Sequence, residues 1–133
     1  MRLGVTLPTF RHTPDEAVDV ARRAEALGLD GVFAFDHLWP LGRPDRPALH
    51  WMPLLGAVAA ETRAVIVGTL VARVSLVPNA VLVNALATLR RMAGERLVAG
   101  LGTGDRANRA ENEAYGIDYP PVGERVAAVI SAA

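Results

Sequence analysis

Apolar residues in this chain gather into short runs separated by segments with helical spacing. The runs are Leu3-Gly4-Val5-Thr6-Leu7, Val32-Phe33-Ala34-Phe35, Val65-Ile66-Val67-Gly68-Thr69-Leu70-Val71 and Leu97 to Leu101. Each has the length of a strand, and the unbroken apolar character of the third suits a strand covered on both faces. Between the first two runs, Thr13-Pro14-Asp15-Glu16 has the form of a helix start. Thr13 supplies an N-cap hydroxyl, Pro14 suits the first helical position, and Glu16 completes a capping box. Ala17, Val18, Ala21, Ala24 and Leu27 follow at helical spacing, and Gly28 is placed to end the helix. Further helices are expected over Leu54–Glu61 and Asn79–Met92, with Gly94 preceding the fourth strand. A short polar helix after Gly104 stops at Gly116, and Pro120-Pro121 introduce a last one. The order βαβαβαβα predicts about four parallel strands alternating with helices, joined by right-handed crossovers.

A four-stranded parallel sheet has two open edges unless something pairs them. The 133 residues read as one domain and come to about half of the roughly 250 of a complete (β/α)₈ barrel. Three arrangements satisfy both facts. The rest of a barrel is missing from a truncated chain; a homo-oligomer or a partner chain covers the edges; or the fold closes in an unusual way.

Composition narrows the functional classes. The chain is 51% hydrophobic and 21% charged, the balance of a globular domain. Fourteen basic residues offset fourteen acidic ones, so charge gives no case for nucleic acid or an anionic membrane. With no cysteine there are no disulfides, thiolate chemistry or cysteine-bound metals, which fits a cytoplasmic protein. The run Leu3 to Leu7 is too short for a signal-peptide core and is cut by Pro8. The longest uncharged stretch, Val74 to Leu89, contains Ser75, Pro78, Asn79 and Asn84 and reads as a buried helix rather than a membrane span.

Candidate chemistry lies at the carboxyl ends of the strands, the edge where α/β proteins bind ligands. Phe35-Asp36-His37 follows the second strand, and Gly100-Leu101-Gly102-Thr103-Gly104-Asp105 ends the fourth. A neutral imidazole at His37 can take a proton near physiological pH; a histidine at a strand end can equally be structural. Asp36 can polarise a site or cap the loop after it. Asp105 can be the N-cap of the helix after Gly104. The glycine run also resembles part of a dinucleotide-binding fingerprint. That fingerprint belongs on the first strand of a βαβ unit, with an acid about 20 residues on at the next strand end. Here it follows the fourth strand, and Glu124 falls in a helix. Trp39 and Trp51 bound a proline-rich loop and can line a pocket or simply pack, while Glu61, Arg63, Arg90, Arg91 and Arg96 are expected on solvated surfaces. His12 and His50 have no paired ligand at metal spacing.

Several motifs in order carry a family resemblance. Leu7-Pro8-Thr9-Phe10, Ala26-Leu27-Gly28-Leu29-Asp30-Gly31-Val32, Phe35-Asp36-His37-Leu38, Val67-Gly68-Thr69-Leu70-Val71, Ala87-Thr88-Leu89 and Gly94-Glu95-Arg96-Leu97 lead into Gly100–Asp105. Together they resemble the luciferase-like monooxygenase superfamily over almost the whole chain, which then corresponds to the N-terminal half of that family's TIM barrel. The resemblance implies the deazaflavin coenzyme F-420 (F420) as first choice of cofactor, or FMN, and hydride transfer to or from a small-molecule organic substrate. It implies His37 as base and Asp105 as proton donor, although the best-fitting deazaflavin dehydrogenases carry the longer Glu at the latter position. It places Asp36, Leu70, Val71, Thr103, Gly104 and Asn108 around the ring, with a non-proline cis peptide at Leu70-Val71. The alternatives are a catalytically silent barrel fragment acting only through association with another chain and a Rossmann-type nucleotide binder. Barrel phosphate sites usually follow strands seven and eight, which a half-barrel lacks.

Overall fold

The computed structural model describes residues 1–10, 12–74 and 76–132. Its elements are β1 (Gly4–Thr6), α1 (Pro14–Ala26), β2 (Gly31–Ala34), α2 (Trp51–Glu61), β3 (Ile66–Arg73), α3 (Asn79–Ala93), a 3-10 turn (Gly94–Arg96), β4 (Leu97–Gly102), α4 (Arg106–Ala114) and α5 (Val122–Ala132). The sheet runs β1-β2-β3-β4 with every pairing parallel. The strands therefore follow chain order, as around a barrel wall. No reversal of strand order creates the crevice that a dinucleotide binder uses, which removes the Rossmann reading.

Local sequence accounts for the main boundaries. The Thr13 hydroxyl accepts the Glu16 N–H at 3.2 Å, and the Glu16 carboxylate accepts the Thr13 N–H at 2.8 Å, so the capping box is complete. Gly28 takes φ +75° just beyond α1, a turn that a residue without a β-carbon makes freely. Helix α2 starts at Trp51, three residues before the expected Leu54, because His50 caps it: its Nδ1 accepts the Met52 N–H at 3.2 Å. Pro53 is compatible with that start, since the N–H groups of a first helical turn have no partner within the helix.

The main difference in the sheet concerns β3. It was expected to end at Val71 but continues to Arg73. The pairing with β4 slips between Thr69 and Ala72, then resumes as Ala72 with Leu101 and Arg73 with Gly102. A bulge of this kind interrupts the ladder without ending the strand. It leaves Leu70 and Val71 exposed within a largely buried strand and brings Arg73 to the carboxyl end of the sheet. The Leu70-Val71 peptide bond is cis, as the resemblance implied.

The core lies between the sheet and the helices α1, α2 and α3. Ala17, Ala21 and Ala24 give α1 a small-residue face, and Leu54, Leu55 and Val58 of α2 meet Val32 and Val67 of the sheet within one buried cluster. Arg96 departs from the expected solvated position. Its guanidinium donates to Ala59 O, Thr62 Oγ1 and Val65 O, tying the start of β4 to the end of α2. The Glu25 carboxylate accepts the N–H groups of Arg63, Ala64 and Val65, which fixes the entry to β3. Among the described residues neither β1 nor β4 has a second strand neighbour in this sheet, and Leu3, just before β1, and Val98, within β4, are exposed. No helix among the described residues is long and apolar enough to cross a membrane.

Candidate functional site

Three strand ends converge at one cleft of about 380 Å³. The β2 end contributes Phe35, Asp36 and His37, the β3 bulge contributes Leu70, Val71 and Arg73, and the β4 end and start of α4 contribute Gly102, Thr103, Gly104, Asp105 and Asn108. All eight site residues expected from the sequence thus line a single surface. A larger depression of about 510 Å³ runs along the open β1 edge beside α1 and includes none of them.

Asp36 is buried and holds two strand ends together. Its Oδ2 accepts the Arg73 N–H at 2.7 Å. Burial raises the Asp36 pKa above its ordinary value, and the Arg73 contact opposes that shift only in part. Its observed partners are protein groups, which adds a structural task to the cofactor contact expected of it.

His37 stands beside Phe10 and Phe35, whose rings stack with centroids 6.1 Å apart; the imidazole meets Phe35 edge-on at 6.4 Å. Its Nδ1 lies 2.9 Å from Glu111 Oε1 and 3.4 Å from Asn108 Nδ2. The side chain of His37 is 20% exposed and that of Glu111 is 0% exposed. Glu111 Oε2 accepts from the Arg73 guanidinium at 2.5 Å, and the Leu38 N–H approaches the same oxygen at 3.4 Å. Arg73 is itself buried and also reaches Asn112 Oδ1 at 3.5 Å. The result is a buried polar network of Asp36, Arg73, Glu111 and Asn112 under the cleft, with His37 at its surface.

Asp105 immediately precedes α4 and behaves as its N-cap. Its Oδ1 receives the Asn108 N–H at 3.3 Å, while Asn108 Oδ1 receives the Asp105 N–H at 2.7 Å. Asp105 is exposed at the rim of the cleft and Asn108 is buried within it. Between them and His37, Leu70 and Val71 present exposed apolar side chains, an unusual feature inside a sheet and a fitting floor for a flat apolar ring. The glycines have local steric reasons. A β-carbon on Gly102 would sit 2.2 Å from Val71 Cγ2, and Gly104 takes φ +72° with Asn108 Oδ1 crowding its open side. The glycine spacing therefore records close packing over the bulge, with no phosphate needed to explain it.

Arg73, Glu111 and Asn112 were not foreseen from the sequence. The available signal was Asn108, Glu111 and Asn112 at i, i+3 and i+4, which put one polar stripe on a single face of α4. Of the three, the resemblance places only Asn108 in the site; Glu111 and Asn112 read from the sequence as part of a polar helix. The structure turns the stripe inward, onto Arg73 and His37. Trp39 and Trp51 do not line the cleft: Trp39 stacks on Tyr115, and Trp51 is buried at the start of α2.

This arrangement of a parallel, barrel-like wall with a cleft at its carboxyl edge agrees with comparison to known proteins. The family model for luciferase-like monooxygenases matches residues 1–129, and the chain belongs to that family. It is 37% identical over 128 residues to an F420-dependent glucose-6-phosphate dehydrogenase of Nakamurella multipartita, covering 96% of this chain and 37% of that protein. A protein of the same name from Kineococcus radiotolerans is 37% identical over 131 residues, again covering 96% and 37%. Among solved structures, an F420-dependent secondary alcohol dehydrogenase in complex with an F420-acetone adduct superposes with a TM-score of 0.80 at 25% identity, covering 99% of this chain and 40% of that one. The FMN complex of the oxygenating constituent of 3,6-diketocamphane monooxygenase from Pseudomonas putida shares the fold, with a TM-score of 0.78 at 18% identity over 95% of this chain and 36% of that one. The chain thus spans less than two-fifths of the length of these curated relatives and forms a partial barrel.

Proposed function

We propose that this chain carries the ring-binding and proton-transfer half of an oxidoreductase site that works with deazaflavin coenzyme F420, with FMN as the second choice. The observation that carries the reading is the convergence of His37, Asp36, Leu70, Val71, Thr103, Gly104, Asp105 and Asn108 on one cleft from three strand ends. The residues suit a planar tricyclic ring. Leu70 and Val71 supply an apolar surface, Gly102 and Gly104 keep β-carbons out of the way, and Asn108 and Thr103 offer polar groups along one side.

Bound deazaflavin would supply the acceptor or donor of a hydride, chemistry that no side chain here can perform. The residues would move the protons. In the oxidative direction a secondary alcohol loses hydride from carbon and its hydroxyl proton passes to His37 Nε2, leaving a carbonyl. Asp105, at the rim of the cleft, would give a proton from its carboxyl to the reduced cofactor. The FMN complex of a fold relative supports FMN as the alternative cofactor.

A second reading, association with another chain, is favoured by the β1 and β4 edges, unpaired among the described residues, and by the exposed Val98 of β4. Light scattering tests it directly: a stable monomer counts against it. The primary reading is tested by titrating the chain with F420, FMN and NADH. Saturable micromolar binding of one ring cofactor, weakened by filling the cleft through Gly104→Phe, is expected. A folded chain that binds none of the three overturns the proposal and favours the association reading.

A further inference from the structure

We infer that Glu111 is a positioning residue for His37. It holds the imidazole in the tautomer that carries its proton on Nδ1 and keeps Nε2 bare for the cleft. The role rests on the reading of His37 as base, but its test does not require cofactor or turnover.

The argument begins with what each atom near Nδ1 can do. A carboxylate can only accept, so at 2.9 Å the bond from Nδ1 to Glu111 Oε1 requires the hydrogen on the histidine. Asn108 Nδ2, a donor, competes for the same nitrogen from 3.4 Å, where a hydrogen bond is weak. The charged acceptor at the shorter distance prevails, because bonds to ionised groups are roughly twice as strong as neutral ones.

Glu111 is aimed by its other partner. The Arg73 guanidinium donates to Oε2 at 2.5 Å, leaving Oε1 directed at the histidine. Arg73 in turn is anchored through its backbone N–H to Asp36. A buried carboxylate between a fixed arginine and an imidazole resembles in kind the acid–histidine pairs that orient catalytic bases, where the acid sets tautomer and ring angle and steadies the imidazolium once a proton arrives. Among the described contacts His37 Nε2 has no hydrogen-bond partner, and the ring lines the cleft.

The test is ¹⁵N NMR of the histidine rings, with His37 assigned by loss of its signals in His37→Gln. At a pH where the ring is neutral, the parent chain is expected to show a protonated Nδ1 and an unprotonated Nε2 for His37. In Glu111→Gln, whose carboxamide can donate as well as accept, the Nε2 signal is expected to move toward the protonated position while the signals of His12 and His50 stay put. An Nε2–H tautomer in the parent overturns the assignment without recourse to any variant, which covers the case of a Glu111→Gln chain that fails to fold. A folded Glu111→Gln chain with an unchanged His37 tautomer also overturns it and leaves Glu111 as a partner of Arg73 only. A separate F420 titration of the parent distinguishes failure of this inference from failure of the oxidoreductase reading. Loss of F420 binding with the Nδ1–H tautomer intact refutes the latter alone.

Discussion

Val71 occupies the space that any side chain at Gly102 would need: a β-carbon there would lie 2.2 Å from Val71 Cγ2 and 3.3 Å from Val71 Cβ. The contact crosses from the β3 bulge to the last residue of β4 and sets the floor of the cleft. Gly102→Ala cannot be accommodated by a flexible side-chain end, because Val71 is branched at its β-carbon and stiff. The variant is expected to lose about 1–3 kcal/mol of stability, the usual cost of overpacking. Urea denaturation measures this, and a change within about 0.5 kcal/mol, the range of ordinary surface substitutions, would show that the bulge yields.

The buried pair of Arg73 and Glu111 leads to a second expectation. Removing the cation alone leaves Glu111 in the interior without its guanidinium. Arg73→Met is therefore expected to destabilise the fold by about 3–5 kcal/mol, whereas an apolar pair at both positions restores much of the loss. A double-mutant cycle of Arg73→Met and Glu111→Leu by chemical denaturation checks both parts. If Arg73→Met alone costs nothing measurable, the interior hydrates the carboxylate and the network is looser than the contacts imply.

These two sites show what could and could not be seen in the sequence. Strand and helix identity followed from apolar runs, caps and glycine stops, because those signals act within a few residues. The edge carrying Phe35-Asp36-His37 and the glycine run followed from chain direction in a parallel sheet. The bulge followed only from the family resemblance, since apolar periodicity continues through Leu70 and Val71 whether or not the ladder slips. Arg73 therefore falls two residues beyond the strand end that the apolar run marks. Glu111 was hidden for a different reason: α4 is polar on several faces, and only the tertiary position of Arg73 decides which of them is buried. The role of Gly102 was likewise invisible until Val71 was placed above it.

Asp36 gives a pH-dependent expectation with a definite sign. Its folded-state pKa is raised, chiefly by burial, above an ordinary value of 3.8. Between the unfolded and folded pKa values the native state binds more protons than the unfolded chain, so stability contributed by this group falls as pH rises through that window. Asp36→Asn keeps an oxygen to accept the Arg73 N–H and removes the charge. The stability of the Asn variant relative to the parent should therefore improve from about pH 4 to pH 7, read from urea midpoints at each pH. A difference that is flat with pH would mean that Arg73 and its neighbours cancel the burial penalty.

Asp105 joins two roles that one substitution can separate. Its carboxylate and the Asn108 side chain form reciprocal bonds at the start of α4, at 3.3 and 2.7 Å. Asparagine caps helices about as well as aspartate but has no acidic proton to give. Asp105→Asn is thus expected to keep stability within about 0.5 kcal/mol of the parent, while Asp105→Ala loses about 1 kcal/mol with the cap. If the carboxyl also delivers a proton to the reduced cofactor, turnover of an alcohol with F420 falls about 10²-fold or more in both variants. Parent-like turnover in Asp105→Asn would confine the residue to the cap. The proton would then have to reach the cofactor from water, and His37 would be left as the one residue in the cleft that moves a proton.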